Sequence, residues 1–348
     1  MVSNFIELSS VRAPEVGKGV TLHSHGELLA ELAAYTGPQR DMAETRGAGR
    51  VTNMSGRLPV FYTPRMVARP KTFSPSAAKP VAVVESWQRA GLPIDVIEPK
   101  PVTVAQLKLV HKPSYVDDVL ACRRANGFSD MSKGVADSLP WTSGAMLSAA
   151  RHALANGGVA CAPCSGFHHA RYSGGGGYCT FNGLMVAAVV LQREGLVERV
   201  GIIDCDMHWG DGTSSIIDVL DAQGWIQHFS AGTEYQEQSQ AAAFFARLED
   251  EVEAAAGCDL VLYQAGADPH VNDPLGGFLS TEELRIRDQI VFRGLARLGV
   301  PVAWNLAGGY QQEDDGSIPA VLEIHMNTAR EAIGAARPPR PMSGPSPY

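Results

Sequence analysis

The chain has few cysteines and no excess of basic residues, and each shortage excludes a class of protein. Six cysteines in 348 residues are too sparse for a disulfide-stapled secreted fold, so we expect reduced thiols. Lys and Arg number 29 against 37 Asp and Glu, which gives a formal net charge of −8. This acidic balance disfavours a broad phosphate-binding face, and we expect no nucleic-acid partner.

Long hydrophobic runs are also missing. The longest, such as residues 183–191, are far shorter than the roughly 20 residues that a membrane span needs. The first residues, MVSNFIELSSVR, lack the basic stretch and apolar core that are typical of a signal peptide. The sequence therefore predicts a cytoplasmic protein with no membrane partner.

The composition, 45% hydrophobic and 19% charged, is that of a large globular protein. We predict one domain over residues 1–335, within which the first 60 residues fit no clear pattern beyond a short helix over residues 28–35. The Pro-, Ser- and Gly-rich tail over residues 336–348 is expected to be disordered.

Apolar strands alternate with helices over most of the chain. Strands are predicted over residues 58–62, 159–162, 199–205, 225–229, 260–264 and 302–306, with helices between them. One helix is expected to begin at a cap on Thr142 or Ser143 and to end near Leu154. The alternation predicts an α/β fold with a mainly parallel sheet and helices on both of its faces.

Polar side chains follow four of the predicted strands, at the point where each strand ends. These are the histidine pair His168–His169, the segment DCDMHWGDG over residues 204–212, Asp268, and Tyr310. In a parallel sheet, ligands bind beyond the carboxyl ends of the strands. We therefore expect these side chains to form one site.

Asp206, His208 and Asp268 are the candidate metal ligands. The i, i+2 spacing of Asp206 and His208 puts both side chains on one side of an extended strand end. Two carboxylates and one imidazole, with a position left for water, match the open geometry of catalytic zinc, although Fe²⁺, Mn²⁺ or Co²⁺ would also suit them. The competing interpretation, in which Asp206 and His208 only cap a helix and fill a loop, explains neither Asp268 nor the histidine pair.

The histidine pair indicates proton transfer. A metal lowers the pKa of a bound water to about 7, and a neighbouring imidazole can then take the proton. Two adjacent histidines suggest one base and one electrostatic partner, oriented through their N–H groups by Asp204 and Asp211. Tyr310, which follows two glycines, could donate to a carbonyl oxygen that becomes an oxyanion; alone, it is as often a core or turn residue.

Two further motifs receive less weight. The run Ser173–Gly177 has no following Lys-Ser/Thr, so it is more typical of a pocket wall than of a phosphate loop. Cys161 and Cys164 form a C-x-x-C without a second pair at zinc-finger spacing, which makes redox or structural-metal roles minor alternatives.

At these residues the sequence resembles the zinc-dependent histone deacetylase superfamily, which includes the acetylpolyamine amidohydrolases. The matching segments are GFHHA, GGGGYCTFN, GIIDCDMHWGDGT, AGADPHVNDPLG and NLAGGY, in the family's order, with weaker similarity through VHKPSYVDDVL. Two departures stand out. The family's early His-Pro-x-Arg segment is not recognisable, and Gly232 stands where the family commonly has a histidine.

The resemblance implies the arginase/deacetylase fold, with about eight strands, and zinc bound by Asp206, His208 and Asp268. It also implies roles for the other polar residues at the strand ends: His169 as general base and acid, His168 as its electrostatic companion, Asp211 and Asp204 as their respective partners, and Tyr310 as the phenol that polarises the acetyl carbonyl.

The resemblance further implies a substrate tunnel and a second ion. Tyr178 and Gly177 would line the tunnel, and Leu275 would lie near its mouth. A structural potassium would be held by Asp204, by Ser230, and by main-chain oxygens at Asp206 and His208.

These features together predict a metal-dependent amide hydrolase. Its substrate would be a small acetylated amine, such as an acetylpolyamine, or an acetyl-lysine peptide, and a homo-oligomer is compatible with the sequence. Two alternatives stay open: an arginase-like enzyme with two manganese ions, and a degenerate family member that binds acyl ligands without catalysis.

Overall fold

A computed structural model describes residues 56–336, which belong to one compact unit. The helix expected over residues 28–35 lies outside the described residues. So does the tail expected to be disordered, except for Ala336, which ends the last helix.

Within residues 56–336, seven strands form a single parallel sheet in the order β2-β1-β3-β7-β6-β4-β5. The strands are β1 (Leu58–Phe61), β2 (Ile94–Ile97), β3 (Val159–Ala162), β4 (Val200–Asp204), β5 (Ile226–Ser230), β6 (Leu260–Gln264) and β7 (Val302–Asn305). The expected parallel α/β sheet is confirmed, with a strand count close to the eight expected. Sequence analysis missed β2, a half-exposed edge strand without an apolar run.

The helices lie between successive strands, except the last, which follows β7. They are α1 (Lys79–Arg89), α2 (Val104–Lys108), α3 (Pro113–Leu120), α4 (Lys133–Asn156), α5 (Gly183–Arg193), α6 (Asp211–Val219), α7 (Ala241–Ala254), α8 (Thr281–Leu298) and α9 (Pro319–Ala336). Short 3₁₀ turns lie at Pro64–Met66, Gly232–Glu234, Gln238–Gln240 and Ala255–Gly257. Within residues 56–336, none of the helices is both long and apolar enough to span a bilayer.

The start predicted for helix α4 is wrong, because the helix begins at Lys133 and not at Thr142 or Ser143. Pro140 lies inside it and cannot donate the usual interior hydrogen bond, so the sequence alone favours a start beyond that proline. Residues on both sides of it, such as Val135 and Met146, are buried in the core, and this packing stabilises one continuous helix.

Both faces of the sheet are covered. Successive strand residues point to opposite faces, so Ala160, Ile202 and Leu262 pack into one hydrophobic core with helices α4 and α5. Strand residues that point to the opposite face, such as Ile203 and Trp304, pack into a second core with helices α1, α8 and α9. The expected helices on both faces are therefore present.

The strand register aligns the carboxyl ends of β4, β5, β6 and β7, from which the loops with the candidate site residues begin. Asp204, the last residue of β4, pairs with Ser230 of β5 and with Gln264 of β6, and Gln264 pairs with Asn305 of β7. The loops that follow these strands therefore leave the same edge of the sheet together, which is where ligands bind in parallel sheets.

His111 holds the long loop between β3 and α5. Its Nδ1–H donates to the carbonyl of Arg171 at 2.9 Å, and its Nε2 accepts the backbone N–H of Asn182 at 2.9 Å. Asn182 in turn caps helix α5 by accepting the N–H of Met185. This pairing requires a neutral imidazole, and burial lowers the pKa of His111 to about 4.

Folding stability should therefore depend on pH through His111. Because its pKa is lower in the folded than in the unfolded protein, its contribution is present above pH 6.5 and is lost as the pH falls toward 4. Between pH 7 and pH 5 we expect the free energy of unfolding to fall by about 2 kcal/mol more in the unmodified protein than in His111→Gln. Denaturant titrations at both pH values measure this difference.

His152→Gln provides the control, since His152 is only partly buried and its variant should change the pH dependence less. Equal pH slopes for the unmodified protein and His111→Gln would contradict a neutral His111 in the fold.

Candidate active site

Asp206, His208 and Asp268 converge at the carboxyl edge of the sheet. His208 Nδ1 lies 3.1 Å from Asp206 Oδ1 and 3.1 Å from Asp268 Oδ2. All three residues offer a donor atom within 4.8 Å of the others, and both carboxylates are buried. The loop after β4 turns tightly here because Asp206 N–H donates to Asp204 Oδ1 and His208 N–H donates to Asp206 Oδ1.

The electrostatics of this triad favour a cation. Hydrogen bonds to Asp206 and Asp268 raise the pKa of His208 to about 11. Burial, reinforced by the nearby Asp206, raises the pKa of Asp268 to about 7. A metal ion would replace the proton in such a pocket, and this set of donors fits zinc or a similar divalent ion.

Close backbone approach at the triad requires glycine. The N–H of Gly308 donates to Asp206 Oδ2 at 2.8 Å, and any side chain at this position would overlap the carboxylate of Asp268. A Cβ at Gly266 would lie 2.9 Å from the Cα of Asp206. The glycines after β6 and β7 therefore allow the two carboxylates to meet.

Each residue of the histidine pair donates to its own carboxylate. His168 Nδ1 lies 2.8 Å from Asp204 Oδ2, and His169 Nδ1 lies 2.7 Å from Asp211 Oδ1. Since a carboxylate can only accept, Nδ1 carries the proton in both rings, and Nε2 of His169 is left as a base. The two imidazole rings are 4.1 Å apart, and the ring of His169 is 5.9 Å from that of His208.

The two imidazoles differ in charge. Burial alone would lower the pKa of His168, but Asp204 and Asp206 outweigh it and raise that pKa to about 9. Burial and then the positive charge of His168 lower the pKa of His169. The pair therefore combines a cation with a neutral base near pH 7.

Tyr310 is buried, and its backbone is fixed by an aspartate. Its N–H donates to Asp273 Oδ2 at 2.7 Å, and the other oxygen of Asp273 accepts the N–H of Leu275 at 3.0 Å. Burial, and then Asp268 and Asp206, raise the pKa of the Tyr310 phenol well above its usual value. The phenol therefore keeps its proton and can act as a hydrogen-bond donor.

The predicted tunnel residues lie around these groups. Tyr178 has a left-handed backbone (φ 64°), and its ring centroid is 5.6 Å from that of Tyr310. A Cβ at Gly177 would lie 3.0 Å from Cγ of His169, so glycine lets this loop lie against the imidazole. Leu275 is 41% exposed, and its N–H donates to the same Asp273 that fixes the Tyr310 backbone.

Two residues that contact this site were missed by sequence analysis. Arg171 donates to Asp211 Oδ2, opposite His169, and directly follows the GFHHA segment. Asp273 lies inside the AGADPHVNDPLG segment. One follows a quoted motif and the other lies within one, but nothing in the sequence indicated which groups they contact.

Comparison with known proteins identifies the family. Residues 74–223 match the family described as the histone deacetylase domain. An uncharacterized protein of Picosynechococcus sp. is 31% identical over 240 residues, which cover 63% of this chain and 79% of that protein. This chain belongs to the histone deacetylase superfamily.

A relative that is named for its activity matches over a shorter stretch, and a solved structure matches the fold over most of the chain. Acetylpolyamine amidohydrolase 1 of Pseudomonas aeruginosa is 31% identical over 202 residues, which cover 49% of this chain and 54% of that enzyme. The crystal structure of the HDA15 HD domain has a TM-score of 0.65 at 20% identity, covering 80% of this chain and 89% of that one. The homologues support a hydrolase, and the structural likeness supports the arginase/deacetylase fold.

One departure from the histone deacetylase family has a physical reason. Gly232 has a left-handed backbone (φ 46°), and a Cβ there would lie 2.9 Å from the Cα of Trp209. A histidine would collide with this neighbour. Two of the predicted potassium ligands lie close to each other, with Ser230 Oγ 3.5 Å from Asp204 Oδ2.

The C-x-x-C motif of Cys161 and Cys164 does not form a metal site in the described part of the chain. Cys161 and Cys164 are buried free thiols. Across residues 56–336, the one group of three or more potential metal ligands is Asp206, His208 and Asp268.

Replacing Gly308 should weaken metal binding. In Gly308→Ala the added methyl would overlap the Asp268 carboxylate, so we expect zinc affinity to fall about 10–100-fold, the usual cost of disturbing groups around metal ligands. Titration of the metal-free protein against a chromophoric chelator measures this affinity. Gly158→Ala is the control, because its methyl meets no atom within 4 Å. Equal affinities for both variants would contradict the triad as the metal site.

Proposed function

We propose that this protein is a zinc-dependent deacetylase that hydrolyses the N-acetyl amide of a lysine side chain or of a polyamine. The observation that supports this most directly is the approach of Asp206, His208 and Asp268 to within 4.8 Å of one another, beside a histidine base and a buried phenol. A binding protein would have no need of the two imidazole–carboxylate pairs.

Asp206, His208 and Asp268 would hold the metal. When bound, a divalent ion supplies Lewis acidity, which acidifies water and polarises a carbonyl group. Zinc suits one imidazole and two carboxylates, and Fe²⁺, Mn²⁺ and Co²⁺ are accepted by the same donors.

His169 is the proposed general base. Its Nδ1–H is held by Asp211 at 2.7 Å, so Nε2 accepts the proton of the attacking water and later gives it to the leaving amine. His168 stays protonated beside Asp204 and Asp206 and stabilises negative charge as it develops.

Tyr310 is the proposed donor to the acetyl oxygen. Because its pKa is raised well above the usual value, the phenol stays protonated near pH 7, and its burial limits access of competing water. A fixed O–H directed at a developing oxyanion stabilises the transition state more than the ground state, which is what accelerates a reaction.

The contacts favour one metal over two. An arginase-like site needs further carboxylates for a second ion, but Asp204 and Asp211 are each hydrogen-bonded to an imidazole. Ser230 Oγ and Asp204 Oδ2, 3.5 Å apart, fit instead the proposed potassium site together with main-chain oxygens of Asp206 and His208.

The substrate is an acetylated amine on a slim aliphatic chain. Acetyl-lysine and acetylpolyamines both have an acetylated amine at the end of such a chain. The Pseudomonas aeruginosa relative is named for acetylpolyamines. Tyr178 and Gly177 would flank the chain, and Leu275 on the rim would contact whatever follows it.

Metal removal tests the reaction class. We expect chelation to abolish release of acetate from a panel of acetyl-lysine peptide, acetylputrescine and acetylspermidine, and one equivalent of zinc to restore it. Acetate release and metal content by mass spectrometry are the measurements, and arginine serves as the control substrate. A requirement for two manganese ions with urea release from arginine would contradict the proposal.

Replacing the phenol tests its role. Tyr310→Phe should lower kcat about 10²–10³-fold, the typical loss for one oxyanion donor, while one zinc stays bound. Tyr235→Phe, on a phenol outside the site, should leave kcat unchanged. Steady-state kinetics with the best substrate of the panel measures both variants, and near-normal turnover of Tyr310→Phe would refute the role of the phenol.

A further inference from the structure

A fully buried lysine lies beneath the candidate site. Lys79, the first residue of helix α1, is 0% exposed, and its Nζ donates to the carbonyls of Ala307 at 2.6 Å and Gly308 at 2.8 Å. Within residues 56–336, no ion pair within 4.0 Å includes this ammonium. Burying a charge that is bound only by neutral carbonyls is unfavourable, so a second factor must stabilise it.

The carbonyls that Lys79 binds belong to a strained turn. Ala307 has a left-handed backbone (φ 50°) that alanine rarely adopts, and Gly309 has φ 129°. Such conformations persist only where the surrounding structure determines them, and they cluster at functional sites. A Cβ at Gly309 would lie 3.5 Å from Lys79 Nζ, so the ammonium fits closely under the turn.

The same turn presents N–H groups on its other side. Gly308 N–H donates to Asp206 Oδ2 at 2.8 Å, and Tyr310 N–H donates to Asp273 Oδ2 at 2.7 Å. The Ala307 carbonyl that Lys79 binds belongs to the same peptide as the Gly308 N–H, so the ammonium polarises this peptide and strengthens the hydrogen bond to Asp206. Lys79 and the two carboxylates therefore act on opposite sides of one short segment.

The charges across this segment are complementary. Burial lowers the pKa of Lys79 to about 8, while Asp268, Asp206 and Asp273 favour its charged form. The ammonium is thus stabilised by carboxylates that it does not touch, with the turn between them.

We propose that Lys79 is a positioning residue that fixes the turn over residues 307–309 and, through it, the phenol of Tyr310. Lys79 touches neither substrate nor metal ligands and acts through backbone carbonyls alone. The inference rests on the proposed function for its effect on catalysis, but the placement of the turn can be tested without activity.

The kinetic test uses Lys79→Met and Lys79→Arg. We expect Lys79→Met to lower kcat about 10²-fold, as a misplacement of about 1 Å can, with KM and zinc content little changed. Lys79→Arg, which can still donate to two carbonyls, should recover most of this loss. In Tyr310→Phe, adding Lys79→Met should cause no further loss, because the phenol it positions is already gone.

The structural test uses amide hydrogen exchange in the metal-free protein. Peptides that cover residues 306–311 should exchange faster in Lys79→Met, and peptides from β4 should not change. The double variant Lys79→Met/Ala307→Gly should recover part of the protection, because glycine adopts the left-handed turn without strain. Lys108→Met is the control, since its ammonium pairs with Asp117 at the surface, 2.7 Å away.

The outcomes separate this inference from the proposed function. Unchanged exchange at residues 306–311 in Lys79→Met, or equal losses of kcat from that change with and without the phenol, would overturn the positioning role. Failure of the zinc-loaded protein to release acetate from the substrate panel would overturn the proposed function instead, while faster exchange in Lys79→Met would still support the turn contact. If Lys79→Met does not fold, Lys79→Gln takes its place in both tests.

Discussion

The burial of three aspartates at one edge of the sheet is the constraint on which the rest of the site depends. Asp204, Asp206 and Asp268 are at most 2% exposed. Each buried carboxylate is costly by several kcal/mol unless cations and hydrogen bonds offset it. The cationic His168, a proton or metal ion at His208, and the buried Lys79 surround these carboxylates, and their positions are best understood as the response to that charge.

Two buried cationic side chains, one on helix α1 and one on helix α8, donate hydrogen bonds to the backbone around the carboxylates. Lys79 binds the carbonyls after β7, and Arg287 of helix α8 donates to the carbonyls of Gly266 at 2.5 Å and Cys205 at 3.3 Å. Arg287 is neutralised by Asp288 at 2.8 Å, whereas Lys79 depends on the site itself. With their carbonyls occupied, the loops after β4, β6 and β7 are held in place from the helix layer. Helix packing therefore determines how precisely the metal ligands are placed.

The sequence was most informative for strands that are buried on both faces of the sheet. Strands β3, β4, β6 and β7 are buried along their whole length and were predicted to within one residue at each end, while the edge strand β2 and the start of α4 were not predicted. The ligand triad followed from polar residues at strand ends. Lys79 could not be found in this way, because its partners are 228 and 229 residues distant and a lysine before a proline looks like an exposed helix start. Only the three-dimensional fold shows that it is buried.

The difference between the two histidines explains why adjacent residues of one type can have different proposed roles. His168 faces Asp204 on the buried end of β4 and also lies 3.6 Å from Asp206, so two carboxylates maintain its charge. His169 faces Asp211 on the first turn of α6, and Arg171 shares that carboxylate. Part of the negative charge of Asp211 is thus already balanced, and the cationic His168 lies next to the second imidazole. The proposed base is neutral because burial, and then the positive charge of the adjacent His168, lower its pKa, whereas two carboxylates outweigh burial at its companion.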